Sequence, residues 1–239
     1  MKKNIFWKLR ESLTGSYTIR QSIKQVLAKQ KEKNEELFAF SLIKPYLGNH
    51  YFPLTGYVLS PLLIQKLLNE ISLNNASNIL EFGAGFSTVV ISNFILKHNL
   101  PIQFTSVENS QEYMDYVKSH IIDANDSRLR FVVAPLCEKN KYHEATTWYD
   151  VNAVKNSFGN KPYDLILVDG PYGKLQKNIR HGFLDVCENH YNEHTTFYID
   201  DSHRPDERAI VNFLKEKYKM QDIQYMNTTR LFTGNKLMV

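Results

Sequence analysis

Apolar and polar residues change rhythm near residue 77. Before it, apolar positions recur at helical spacing. Over residues 19–37, Ile23, Val26 and Leu27 fall on one face with lysines opposite, which predicts an amphipathic helix. Ser60-Pro61 predicts a second helix start, with Ser60 as N-cap and Pro61 at the first position, where its missing N–H costs nothing. Leu62, Leu63, Leu67, Leu68 and Ile71 form that helix's apolar stripe. From residue 77 onward, short apolar runs alternate with helical stretches. Strands are predicted at 78–82, 102–107, 129–133, 163–168 and 195–199, with helices at about 87–97, 111–122, 178–187 and 206–218. Segments 223–226 and 231–232 close the sheet as a hairpin pair. The run from Tyr163 to Val168 is almost wholly apolar, as befits a strand covered on both faces. Strict alternation of this kind predicts an α/β chain: a Rossmann-like, doubly wound, mostly parallel sheet with an N-terminal helical extension. The extension is expected over 1–76 and the sheet domain over 77–239. Sheets of this kind bind ligands beyond the C-terminal ends of their strands.

Composition narrows the picture modestly. The chain has 239 residues, 43% apolar and 23% charged, which suits one soluble α/β domain with an extension. Aromatic residues reach 13%, enough for an aromatic core or an aromatic-lined pocket. The formal charge is only +4, and the densest basic stretch (Lys24, Lys29, Lys31, Lys33) is broken by Glu32, Glu35 and Glu36. That pattern reads as a solvated helix face, so a nucleic-acid partner is not expected. Cys137 and Cys187 lie far apart without CxxC spacing, which excludes a disulfide framework or zinc site. Cys187 reads as a small core residue. Residues 1–13 mix Lys2, Lys3, Lys8, Arg10 and Glu11 with few apolar residues, and no apolar run is long enough for a signal peptide or a membrane span. The expected setting is cytoplasmic, with reduced thiols.

Four stretches carry candidate chemistry, each at a strand end. The first runs from Glu81 through Gly83, Ala84, Gly85 and Ser87 to Thr88. Its glycines allow a tight turn and close approach to a ligand, and the helix behind offers free N–H groups. The dinucleotide fingerprint wants a small residue where Thr88 stands, and Glu81 would repel a pyrophosphate. That acid suits a ligand with a cationic amino group; the structural alternative is a Glu that caps the next helix. The second is Glu108, 27 residues on, placed to accept ribose hydroxyls. The third is Asp169-Gly170-Pro171-Tyr172, where Asp169 emerges from a buried strand and Gly170-Pro171 forces a sharp exit, unless Asp-Gly is a plain turn. The fourth is Asp200-Asp201-Ser202-His203-Arg204. Its acids and histidine suit proton abstraction or a divalent cation, while Ser202 or Asp201 also fits as a cap for the helix that follows.

Together these stretches resemble the class I S-adenosylmethionine-dependent methyltransferases. Within that class the chain is similar to a bacterial group of small-molecule O-methyltransferase type, which shares Trp148-Tyr149-Asp150, Val-Asp-Gly-Pro and a late acid pair. Val-Asp-Gly-Pro followed by a basic residue is also similar to plant polysaccharide (glucuronoxylan) methyltransferases. The resemblance spans about residues 55–232 and implies seven strands with the last reversed. It implies that Gly83, Ala84, Gly85, Ser87 and Thr88, helped by Glu81, hold the methionine part of S-adenosyl-L-methionine. Glu108 would hold the ribose, Leu136 would lie near the adenine, and Asp169 with Gly170 beside the sulfonium. Asp169, Asp201 or His203 is expected to deprotonate an acceptor hydroxyl on a small molecule or saccharide. Trp148, Tyr149, Pro171, Arg180 and His181 are candidate acceptor contacts, with core packing as the alternative for Trp148. Metal-dependent catechol-type relatives add an acid and an Asn that find no full match here. Asp169, Asp200 and Asp201 are the only candidate oxygen donors, so no metal is expected. The N-terminal helices offer a surface for a second copy or a cover for the cleft, and Tyr46, Tyr51, Phe52 and Tyr57 a lid. Competing readings are amine methylation, a non-catalytic scaffold and a nicotinamide oxidoreductase. Gly170 departs from the Asp-Pro-Pro-Tyr signature of the first, the retained acids weigh against the second, and Thr88 with Glu81 against the third.

Overall fold

The computed structural model describes residues 16–48, 51–55, 58–138 and 146–234. Residues 1–13 and Tyr57, singled out above, lie outside them. In chain order the elements are α1 (Ser16–Ile43), a 3-10 turn (Lys44–Tyr46), α2 (Pro61–Leu73), β1 (Asn78–Phe82), α3 (Phe86–Lys97), β2 (Gln103–Glu108), α4 (Gln111–Lys118) and β3 (Leu129–Val133). Then come the paired short strands β4 (Leu136–Cys137) and β5 (Trp148–Tyr149), α5 (Val151–Asn156), β6 (Leu165–Val168), α6 (Gly182–Val186), β7 (Thr196–Ile199), α7 (Pro205–Tyr218), β8 (Gln221–Tyr225) and β9 (Thr228–Phe232).

Seven strands form one sheet in the order β3-β2-β1-β6-β7-β9-β8. Neighbours from β3 to β7 are parallel, and β9 runs antiparallel to both β7 and β8. The doubly wound, mostly parallel sheet expected from the alternation is therefore present. Period-two alternation divides each central strand between two cores. Ile79, Leu165 and Leu167 join α2, α3 and α4 on one face, while Leu80, Phe82, Ile166 and Val168 join Phe183, Ile210 and Leu214 on the other. Both faces are covered, which is why these strands read as apolar runs rather than alternating ones.

Helix α2 begins as its sequence suggests: the Ser60 side chain accepts from the Leu63 N–H, with Pro61 in the first turn. Its Leu63, Ile64, Leu67 and Ile71 pack into the same core as the sheet. Glu70 is buried on it and pairs with buried Arg230 of β9, and it accepts from the Thr196 hydroxyl of β7 at 3.0 Å. Residues 61–73 thus share a continuous core with the sheet.

Helix α1 differs from expectation. Its apolar face is not covered by the described residues: Ile19, Ile23, Val26 and Leu27 are all more than half exposed. The C-terminal end meets the body. There Ala39 and Ile43 are buried, and the Glu36 carboxylate accepts from the Leu62 N–H at 3.1 Å. The helix predicted at 111–122 ends at Lys118, and that at 178–187 is a 3-10 turn (Ile179–His181) leading into α6. Among the described residues no helix is long and apolar enough to cross a membrane.

Candidate active site

The strand order reverses between β1 and β6, so the segments leaving those strands separate and a crevice opens at their C-terminal ends. The crevice here is a cleft of about 740 Å³. Gly83 and Ala84 line it from the first turn, Glu108 from the end of β2, Asp169, Gly170 and Pro171 from the end of β6, and Asp200 and Asp201 from the end of β7. A smaller chamber of about 290 Å³ adjoins it, sharing Ala84, Tyr113 and Asp169.

The first turn is held by hydrogen bonds that do not involve the cleft. Gly83 sits at φ +94°, where glycine is favoured, and its N–H reaches Val107 O at 2.9 Å. A methyl group on Gly83 would come within 2.7 Å of Gly170 N. One on Gly170 would come within 2.6 Å of Gly83 Cα and 2.4 Å of the Tyr149 hydroxyl. The two ligand-facing turns thus lie back to back, each glycine making room for the other. Behind them Glu81 is fully buried. Its carboxylate accepts from Ser87 Oγ at 2.5 Å, Thr88 Oγ1 at 2.5 Å and Ser106 Oγ at 2.7 Å. Thr88 Oγ1 also accepts from the Gly85 N–H at 2.8 Å. Burial outweighs the three hydroxyls and pushes the Glu81 carboxyl up to about 7. Glu81 is absent from the cleft lining. Three hydroxyls turn its carboxylate inward, where it clamps the turn. Ser87 borders the smaller chamber, and Thr88 stands where a dinucleotide fold wants a small residue because it ties Gly85 to Glu81.

Glu108 does face the cleft. Its Oε1 accepts from the N–H groups of Asn109 at 2.8 Å and Ser110 at 2.9 Å, which fixes the carboxylate's direction. Burial raises its proton affinity, and these N–H groups oppose the rise. Tyr149 is also in the lining; its hydroxyl lies behind the Gly170 turn, is almost completely buried, and has no hydrogen-bond partner among the described residues.

The opposite half of the cleft is a charge cluster. Arg180 is 4% exposed and lies 3.4 Å from Asp169 Oδ1 and 3.3 Å from Asp201 Oδ2. It donates to Pro171 O at 3.1 Å and Asp200 O at 3.2 Å. Arg204 meets the same Asp201 oxygen at 2.7 Å, and Thr228 Oγ1 donates to Asp200 Oδ1 at 2.5 Å. Burial pushes the Asp169 carboxyl well above the usual carboxylate range. Neighbouring Asp200 adds to that push, and Arg180 opposes it.

Several expected site residues lie elsewhere. His203 is exposed and outside the lining. Asp201 takes φ +54°, and Ser202 turns inward to Asn227 O at 2.9 Å and Thr229 Oγ1 at 2.7 Å, which sends the next side chain to solvent. Neither Asp201 nor Ser202 caps α7, whose N-cap is Arg204. Trp148 is a core residue: its ring stacks near Phe82 at 5.4 Å, and a methyl on Gly182 would come within 2.3 Å of it. Leu136 pairs with Tyr149 in the short hairpin and packs on the core, outside the lining. His181 binds Asp206 O at 2.8 Å, away from the cleft. Of the described lid candidates, Tyr46 packs on Phe94 and His98, and Tyr51 is exposed. Phe52 alone borders the smaller chamber. Tyr113, Asn227 and Thr228 also line the wall although no motif marks them, as does Arg204, which stands in the fourth stretch without a role assigned to it. Arg204 and Thr228 carry local signals, a base beside two acids and a hairpin start, but which wall they join depends on the β9 pairing.

Comparison with solved structures fits this architecture. The chain is similar to the S-adenosylhomocysteine-bound methyltransferase PaMTH1 of Podospora anserina, at 12% identity over 90% of this chain and 96% of that one, with a TM-score of 0.53. It is similar also to an O-methyltransferase of Bacillus cereus in complex with S-adenosylhomocysteine, at 14% identity over 84% and 91% of the two chains, with a TM-score of 0.55. At such identities the shared property is the fold, which is the Rossmann-like methyltransferase fold. No protein-family model and no curated protein matches the chain.

Proposed function

We propose that this chain is an S-adenosylmethionine-dependent methyltransferase acting on a hydroxyl of a small-molecule or sugar-like acceptor. The observation that carries the reading is the division of the cleft at the strand-order switch: Glu108 and the glycine turn on one side, the Asp169–Asp200 pair on the other. The fold neighbours that hold S-adenosylhomocysteine support it.

The residues present fit the cofactor. A cleft of this volume accepts a nucleoside-sized ligand. Glu108 has one oxygen fixed by backbone N–H groups, which aims its carboxylate at a ribose diol. The Gly83-Ala84-Gly85 backbone would admit the amino-acid part closely, since no side chain stands at either glycine. When bound, the cofactor supplies an activated methyl group whose leaving group is a neutral thioether.

The chain's own work is then to orient the acceptor and take its proton. Asp169 is the base we favour, because it faces the cleft from the strand end nearest the glycine turn. Asp201 has an oxygen already engaged by two guanidinium groups. The acceptor O–H proton would pass to an Asp169 carboxylate oxygen, while Glu108 and the Gly83–Gly85 turn would hold the cofactor that supplies the methyl group. The acid must be ionised to act, so turnover should rise with pH through the raised Asp169 value. Asp169→Asn should cost about 10²–10⁴-fold in kcat and flatten that profile. Labelled-methyl transfer across phenolic, aliphatic and saccharide hydroxyls, with wild type and Asp169→Asn compared over pH, reads this out. Equal turnover and an unchanged profile in the variant would remove Asp169 from the role.

A further inference from the structure

Helix α1 spans 28 residues and meets the body at its C-terminal end through Glu36, Ala39 and Ile43. At about 100° per residue, those three share one side of the helix. The other side carries an apolar stripe along almost its whole length. Ile19, Ile23, Val26 and Leu27 form it in the N-terminal half, and Leu37, Phe38 and Leu42 in the C-terminal half. The described residues leave these side chains between 45% and 69% exposed. The stripe is about 35 Å long, and a lone soluble chain seldom shows water an apolar surface of that extent. Its middle is polar, with Gln30 and Asn34 between the two apolar sets. A groove lined by Leu27, Gln30, Lys31, Asn34, Glu35 and Phe38 runs along the same side.

The charges are distributed unevenly as well. Residues 16–31 include basic side chains and no acid, whereas Glu32, Glu35 and Glu36 all fall in the second half. Lys24, Lys31 and Glu35 border the stripe on one flank, and Lys29 and Lys33 on the other.

We propose that this stripe is the contact between two copies of the chain, paired antiparallel about a two-fold axis near Gln30. Such a pair sets Ile19 and Ile23 against the partner's Leu42 and the partner's Phe38, and the reverse, so that one patch serves both sides. In this orientation like flanks meet, which brings Lys24 toward the partner's Glu35. Gln30 comes beside the partner's Gln30, where a polar pair fixes the register at some cost in affinity. A parallel pair would join opposite flanks and set Lys24 and Lys31 against the partner's Lys29 and the partner's Lys33, where like charges repel. A basic apolar helix also suits an anionic membrane surface. Glu35 at the edge of the stripe and the polar pair in its middle favour a second copy instead. A contact of this length lies at the low end of stable interfaces, so the dimer should dissociate on dilution. The proposal does not depend on the methyltransferase reading.

Sedimentation equilibrium of the full chain over a series of concentrations tests it. The wild type should move from one to two times the chain mass as concentration rises. Ile23→Glu with Leu27→Glu, both at exposed positions, should stay monomeric throughout, with circular dichroism checking the fold. Lys24→Glu and Glu35→Lys should each weaken the dimer by about tenfold, since two pairs are reversed in every dimer. The two changes together should restore it, which a parallel pair would not show. A wild type that is monomeric at every concentration would overturn the proposal, as would a dimer indifferent to the Ile23 and Leu27 changes. The charge variants read the face even if the double glutamate variant unfolds: dimers unchanged by either single reversal, or not recovered by the double one, would remove the antiparallel contact. Sedimentation with phosphatidylserine vesicles supplies the remaining arm. Vesicle binding by a monomeric wild type, lost with the Ile23 and Leu27 changes, would give the face to a membrane and contradict the inference.

Discussion

At the scale of single residues, the acids in this chain do different jobs according to what surrounds them. Glu108 is aimed by two backbone N–H groups, Asp169 is raised by burial beside Asp200, and Glu81 is shut behind its turn under three hydroxyls. Sequence alone ranked Glu81 with the ligand contacts, because a strand-end acid before a Gly-rich turn looks the same whether it faces out or in. The partners that turn it inward, Ser87, Thr88 and Ser106, are ordinary small polar residues whose meeting depends on the β1–β2 register. The inward placement has a measurable consequence. The folded chain holds the Glu81 proton up to about pH 7, whereas the ordinary value is 4.5, so the folded state binds it more tightly than the unfolded chain does. Its contribution to stability is therefore full below 4.5 and declines as pH rises toward 7, by about 3 kcal/mol in all. Glu81→Gln cannot ionise and should escape this decline. Denaturant unfolding of wild type and variant across that window should show their stability difference moving toward the variant by about that amount. Parallel pH profiles would show that Glu81 ionises as freely as an exposed acid.

At the scale of elements, the five parallel strands were legible to within about two residues, because buried parallel strands announce themselves as apolar runs between turn residues, whereas the start of antiparallel β9 lies three residues before the expected one. The short β4–β5 pair and α5 were not. Two-residue strands carry no periodicity, and Trp148-Tyr149 stood out only as a motif. The amphipathic pattern of α1 was legible, but not that the described residues would leave its apolar face uncovered, since a pattern names a face and not its partner. Helix α2 shows the converse. Its leucine stripe was plain, yet nothing in that stripe marks Glu70, whose ion-pair partner Arg230 lies 160 residues away. That pair is completely buried and joins α2 to β9, the strand whose reversed direction completes the sheet. Glu70→Ala would leave Arg230 as an unpaired buried charge and should cost about 3–5 kcal/mol. Replacing both partners by apolar residues of similar size, Glu70→Leu with Arg230→Met, should cost less than the single change. Denaturant melts of the two variants check this. A loss below about 1 kcal/mol for Glu70→Ala would mean that water reaches Arg230 and the pair is not a closed tie.

At the scale of the whole molecule, the fold brings residues from positions 83 to 228 to one edge of one sheet, where the strand order reverses. The location of the cleft was legible, because it follows from strand alternation alone. What could not be read was the fit of its two halves. Gly83 and Gly170 interlock, Arg180 is buried between the ends of β6 and β7 and the first turn of α7, and the β8–β9 turn secures Ser202 and Asp200, all of which depend on long-range packing. The same packing sets His203 aside and leaves Asp169 to face the cleft. The central claim is that this cleft receives S-adenosylmethionine with Glu108 on its ribose. Calorimetric titration of the wild type and Glu108→Ala with S-adenosylhomocysteine, with NADH as control, tests it most directly. The account predicts one site per chain for the wild type, no binding of NADH, and affinity weakened roughly 10- to 100-fold in the variant, the loss of about 1.5–3 kcal/mol expected when hydrogen bonds to a charged group are removed. Binding of NADH instead, or equal affinity of both proteins for S-adenosylhomocysteine, would contradict it.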